Sequence, residues 1–116
     1  MDHWPRTDDL PPPPPPWLNT AIATLRARHP ESDFESLMRP YAIDATSGKT
    51  VKVTLDPGAA APGGVKMQYL PRIRCNDCPG KLYTAQPGKV VDDFEVHLRN
   101  RLHRVAVQER QEREDR

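Results

Sequence analysis

Cys75-Asn76-Asp77-Cys78-Pro79-Gly80 and, further along, His97-Leu98-Arg99-Asn100-Arg101-Leu102-His103 decide how this chain is read. The first segment holds its only two cysteines, and the whole pattern is C-x2-C-x18-H-x5-H. Two intervening residues let one tight turn aim both sulfurs at a single point. Asn76 and Asp77 tolerate turn conformations, and Pro79-Gly80 stops the chain running on as a strand. Two thiolates and two imidazoles are the donor set of a closed, tetrahedral structural zinc site, so Cys75, Cys78, His97 and His103 are the expected ligands of one zinc ion.

The histidines need a second device. Residues six apart on a regular helix lie well over about 90° from each other around the axis, so both reach one ion only if the helix loosens between them. Asn100, a poor helix former midway between them, is the expected break. Phe94 is expected beneath the site, against Leu82 or Tyr83. The unit then reads strand, knuckle, strand, loop, helix.

Rival readings of the four residues meet specific objections. A redox dithiol belongs at a strand–helix turn, and Pro79-Gly80 opposes a helix there. A disulfide requires an oxidising compartment, whereas Met1-Asp2-His3-Trp4-Pro5 is acidic and lacks an apolar secretory segment, which leads us to expect an intracellular protein. A catalytic zinc keeps an open position, whereas this set fills all four and has no adjacent Glu base.

Working outward, the 116 residues have 36% hydrophobic content, 14 prolines and a mean hydropathy of −0.77, room for one small core. A metal compensates for such a shortage. No run approaches the roughly 20 apolar residues of a membrane span, so a soluble chain is expected. Six basic side chains face eight acidic ones in residues 1–64, eight face four in 65–104, and three face four in 105–116. Positive charge therefore gathers on the finger, and Arg72, Arg74, Lys81, Lys89, Arg99, Arg101 and Arg104 are its candidate contacts to a DNA or RNA backbone, with Tyr83 available to stack on a base or sugar. The bland alternative is that these charges solvate a small domain.

Four segments follow. Residues 1–16 form a disordered, proline-rich leader ending in Pro11 to Pro16, a polyproline II spacer or a ligand for an aromatic-grooved domain of SH3, WW or profilin type. Residues 17–67 support the finger. Within them Trp17 to His29 reads as a helix stopped by Pro30, and Phe34 to Met38 as a shorter helical turn stopped by Pro40. Tyr41–Asp44 and Val51–Leu55 read as strands around Ser47-Gly48-Lys49, with a flexible 57–64 connection. The finger occupies residues 68–107, with Pro71 pointing to an edge strand and Asp92 or Asp93 capping the final helix. Residues 108–116 form a charged tail, helical or frayed. The fold class expected is α+β, a zinc-stabilised finger of two strands and a helix with an N-terminal helical segment.

Trp17, Leu18, Ile22, Leu25, Phe34 and Leu37 read as core, or as a surface for a partner protein. No phosphate-cradling glycine loop, nucleophile elbow or spaced carboxylate pair is present, so neither an enzyme nor a small-molecule substrate is expected. His3 and His29 are expected to face solvent.

Phe94-Glu95-Val96-His97-Leu98 followed by His103-Arg104 resembles the F-x2-H-x5-H half of the matrin and spliceosomal (U-one) zinc fingers, which bind RNA or pack within ribonucleoproteins. The segment from Leu70 to Thr84, with Asp93 to Arg101 and His103, is similar to an accessory region of filamentous-fungal chromatin-remodelling proteins, namely the SMARCB-type core subunit of SWI/SNF and RSC complexes. The similarity extends to Pro16-Trp17-Leu18 and Phe34 to Arg39, covering most of residues 16–107, and the paired repeat that defines that family is absent from the 116 residues. It implies a nuclear module that helps a remodeller hold nucleosomal DNA or a neighbouring subunit.

Overall fold

A computed structural model describes residues 4–6, 8–53 and 56–115. In chain order the elements are α1 (Pro16–Arg28), β1 (Phe34–Asp44), β2 (Val65–Cys75), β3 (Leu82–Thr84), α2 (Val90–Leu98) and α3 (Arg101–Glu114). The fold is α+β, with three helices and one antiparallel sheet in the order β1-β2-β3 among the described residues. Chain contacts separate two compact units, one of residues 14–37 with 71–116 and one of residues 1–13 with 38–70. The larger unit holds all four predicted ligands.

In that unit α1 starts where the sequence dictates. Pro15 is extended and Pro16 takes the first helical turn, where its missing N–H would be unpaired in any case. The helix buries Leu18, Ile22 and Leu25, and Pro30 lies two residues beyond its end. These three side chains form one cluster with Phe34, Ile73, Cys75, Ala85, Val90, Phe94 and Leu98. Phe94 and Phe34 meet edge to face at 5.3 Å, as do Phe94 and Tyr83.

The segment Phe34 to Met38 corrects the sequence reading. It opens β1 instead of forming a helical turn. Five residues ahead of Pro40 cannot meet the cost of nucleating a helix, and the residue before a proline is pushed towards extended conformation. As a strand the same residues still bury Phe34, and Glu35 forms an ion pair with Arg74 of β2. β2 is the middle strand, not an edge. Its ladder with β3 pairs Arg72 with Thr84, Ile73 with Tyr83 and Arg74 with Leu82, so Pro71 lies just beyond β3's reach and costs that ladder no bond.

The final helix is two helices. α2 ends at Leu98, and α3 begins after Asn100, whose side-chain oxygen accepts the Leu102 N–H at 2.8 Å. The break expected at Asn100 is thus an N-cap. At the other end of α2, Lys89 occupies the cap position without a side-chain bond. Asp92 and Asp93 lie inside the first turn, where their charge complements the helix dipole, rather than at the cap. α3 carries on through residue 107 to Glu114, so the charged tail is helical.

The smaller unit is organised by a turn. Asp44 Oδ1 accepts the N–H groups of Thr46 and Ser47 at 2.8 and 3.3 Å, and Gly48 adopts φ +74°. The predicted hairpin shrinks to one bridge, Ile43 to Thr50. Residues 51–53 are not strand, and Thr54 and Leu55 of that prediction lie outside the described residues, as do Met1, Asp2 and His3 of the leader.

Candidate metal centre

Four elements deliver four donors to one place. β2 ends on Cys75, which is fully buried, and a turn closed by Gly80 at φ +102° carries the half-buried Cys78. The last turn of α2 supplies His97 and the first turn of α3 supplies His103. One ligand atom from each of the four residues lies within 4.8 Å of the other three.

The donor atoms can be assigned from what the other ring nitrogens do. His103 Nδ1 lies 3.4 Å from Cys75 Sγ and 3.6 Å from Cys78 Sγ, while its Nε2 meets Ser32 Oγ at 3.0 Å. His97 Nδ1 meets the Tyr83 hydroxyl at 2.8 Å, and His97 Nε2 is buried with no hydrogen-bond partner among the described residues. A buried, unpaired ring nitrogen is costly unless something fills its lone pair. The set therefore offers two sulfurs, His97 Nε2 and His103 Nδ1.

Bond lengths near 2.3 Å to sulfur and 2.0–2.1 Å to nitrogen make the sulfur–nitrogen edge of a tetrahedral zinc site about 3.6 Å, the spacing His103 already shows. The longest separation in the quartet exceeds such edges by about 1 Å, a gap that binding would close. The geometry and donor chemistry fit one metal ion. With Nε2 and Nδ1 as donors, His97 Nδ1–H donates to Tyr83 and His103 Nε2–H donates to Ser32, the orienting outer bonds that ligating histidines require.

Burial governs the protonation states. Chiefly through desolvation, the Cys75 thiol is pushed up to about 11, a neighbouring Cys78 charge adding to the rise. Burial also lowers both imidazoles. His103 and Lys81 add to the effect on His97, whereas nearby Asp77 and Glu31 oppose it on His103. Neutral imidazoles are what a metal needs, and a divalent cation is what deprotonates a thiol in such surroundings.

Packing sets the rings. His97 lies 4.6 Å from the Tyr83 ring, 5.4 Å from Phe94 and 4.7 Å from His103. Tyr83, read from sequence as a base-stacking candidate, is engaged as a wall of the centre.

The seven predicted phosphate contacts separate. Arg74 is paired with Glu35, and Arg99 lies 3.9 Å from Glu95. Half-buried Arg72 donates to the Pro71 carbonyl at 2.7 Å. Lys81 stands 5.0 Å over the Tyr83 ring, and Lys89 is exposed where α2 starts. Arg101 and Arg104 are exposed one turn apart on α3, lining one shallow depression with Val105 and Gln108.

Sequence reasoning missed Ser32, Asp77, Glu95 and Arg110, and misjudged His29. The His29 ring is largely buried and meets Glu95 at 2.8 Å, while Arg28 reaches the other oxygen of that carboxylate at 3.1 Å. These bonds, the His29 one foremost, hold the Glu95 carboxyl below its usual range. They tie the end of α1 to the helix that carries His97.

No protein-family model, curated protein or solved structure matches the chain, so its own geometry carries the functional reading.

Proposed function

We propose that Cys75, Cys78, His97 and His103 hold a single structural zinc ion, and that the unit it fastens is a nucleic-acid-binding module. The observation that carries the zinc reading is the convergence of two thiols and two imidazoles around a buried His97 Nε2 that has no hydrogen-bond partner among the described residues. Four protein donors leave no position for substrate, so the ion's role is to pin β2 and the knuckle to α2 and α3.

The stretch Val96 to Gln108 favours phosphate as ligand, since it contains Arg99, Arg101 and Arg104 and no acidic residue. Arg101 and Arg104 have no carboxylate partner among the described residues and are presented by a helix anchored through His103. Lys81 and Lys89 would add to the same field. A nuclear, chromatin-associated setting follows from the resemblance noted above and belongs to this proposal. The test is binding of the zinc-loaded chain to an arbitrary DNA duplex and an RNA duplex across a salt series. Affinity should fall steeply with salt, and joint Arg101→Gln and Arg104→Gln replacement should shallow the log–log slope by about 2. A slope unchanged by the double replacement would count against these contacts.

A second reading has its own observation. Leu102 and Val105 are 78% and 42% exposed beside the same arginines, a composition suited to a protein partner. Association with a partner that persists at high salt, in place of salt-sensitive duplex binding, would favour an assembly role.

A further inference from the structure

The ligands balance the ion but leave one further charge at this centre to be met. Two thiolates cancel a divalent cation, yet Asp77 stands inside the knuckle between the two cysteines, and only 2% of its side chain reaches solvent. A buried carboxylate beside two thiolates needs a cation of its own.

Arg110 supplies it. Its Nε donates to Asp77 Oδ1 at 2.5 Å and its Nη2 to Asp77 Oδ2 at 3.3 Å, a two-pronged, charge-assisted contact. The same Nη2 donates to the Glu31 carbonyl at 2.6 Å. Arg110 follows His103 by seven residues on the face that also buries Val107, so one helix carries a ligand and the counter-charge for the opposite ligands.

The loop between α1 and β1 closes the other side. Ser32 Oγ meets His103 Nε2, and the Asp33 carbonyl accepts the Asn76 N–H at 2.9 Å. Asn76 Nδ2 donates to Asp33 Oδ1 at 3.2 Å, and the Asp33 N–H donates to Asp77 Oδ2 at 3.3 Å. The knuckle is thus gripped by residues 31–33 and by Arg110, all outside the 68–107 finger that spacing alone delimits.

We propose that Arg110 is a positioning residue of the metal centre: by pairing with Asp77 and bonding to the Glu31 carbonyl, it latches the Cys75–Cys78 knuckle over the ion and slows the ion's loss. The inference rests on the zinc reading above. Cys78 is the more exposed of the two cysteines, so on this account loss of the ion begins with the knuckle swinging outward. That motion must pull Asp77 off the guanidinium and break the bonds to Asp33.

The test is transfer of zinc from the intact, zinc-loaded chain to a chromophoric chelator at fixed pH and salt. Arg110→Gln should release zinc about 10-fold faster, at the lower end of what outer-sphere partners contribute to metal affinity. Arg113→Gln, the same charge change three residues on, should release at the wild-type rate. Combining Asp77→Asn with Arg110→Gln removes both charges and should release more slowly than Arg110→Gln alone. Circular dichroism at saturating zinc should be the same for all, which separates a latch from a folding defect. Wild-type kinetics in Arg110→Gln, or equal acceleration by Arg113→Gln, would overturn the latch alone. A wild-type chain that takes up no zinc would overturn the latch together with the zinc reading.

Discussion

The two units of this chain achieve order by different means. Residues 14–37 and 71–116 gather one apolar cluster from α1, α2, β1 and β2, with Tyr83 of β3 packed against it, and set a polar centre rich in potential ligands directly against it through Phe94, Tyr83 and Cys75. Residues 1–13 and 38–70 bury few apolar side chains, Ala42, Ile43 and Met67 among those described, and are ordered by turn hydrogen bonds around Asp44 and Gly48. The contrast teaches where a small, proline-rich chain spends its limited hydrophobic content: next to the four clustered donors, where packing fixes the ring orientations that metal ligation requires. A core of this size is marginal, and the centre's donors are useless unless held.

Three substitutions break or sharpen that contrast. Phe94→Ala should have the largest effect, because it empties the space between Phe34, Tyr83 and His97. We expect about 3–5 kcal/mol lost in chemical denaturation of the zinc-loaded chain. Tyr83→Phe keeps the ring and removes only the hydroxyl that orients His97, so folding should survive while zinc affinity drops about 10- to 100-fold in a chelator competition. Gly48→Ala tests the other unit. Open space surrounds the position, so a methyl group meets no neighbour, and the cost is backbone strain at φ +74°, about 1–2 kcal/mol, with zinc affinity unchanged.

How much of this was legible in the sequence depended on the range of the interaction. The four residues that cluster as donors were visible because donor type and spacing are local chemistry, and the break at Asn100 followed from helix geometry imposed on His97 and His103. α1 was visible from its apolar period and its prolines. The strand at Phe34–Met38 was misread because five residues with three apolar side chains suit either period, and the choice was made by pairing with β2 across the chain. Ser32 and Arg110 were invisible for the same reason. Ser32 meets His103 across 71 residues, and Arg110 meets Asp77 across 33, through a helix whose sequence shows only alternating charge. The buried Glu95 carried a faint signal, a charged residue beside Phe94 on the packed side of a short helix, and its partner His29 carried none.

The most direct test of the account is zinc content measured together with amide protection. The purified chain should contain one zinc per molecule. Removing it with a chelator should abolish slow hydrogen exchange across residues 71–114 and reduce the helical circular dichroism signal, while the local turn at residues 44–49 changes least. A chain with no zinc, whose exchange pattern and helical signal are the same with and without chelator, would contradict the claim that a metal holds this fold together.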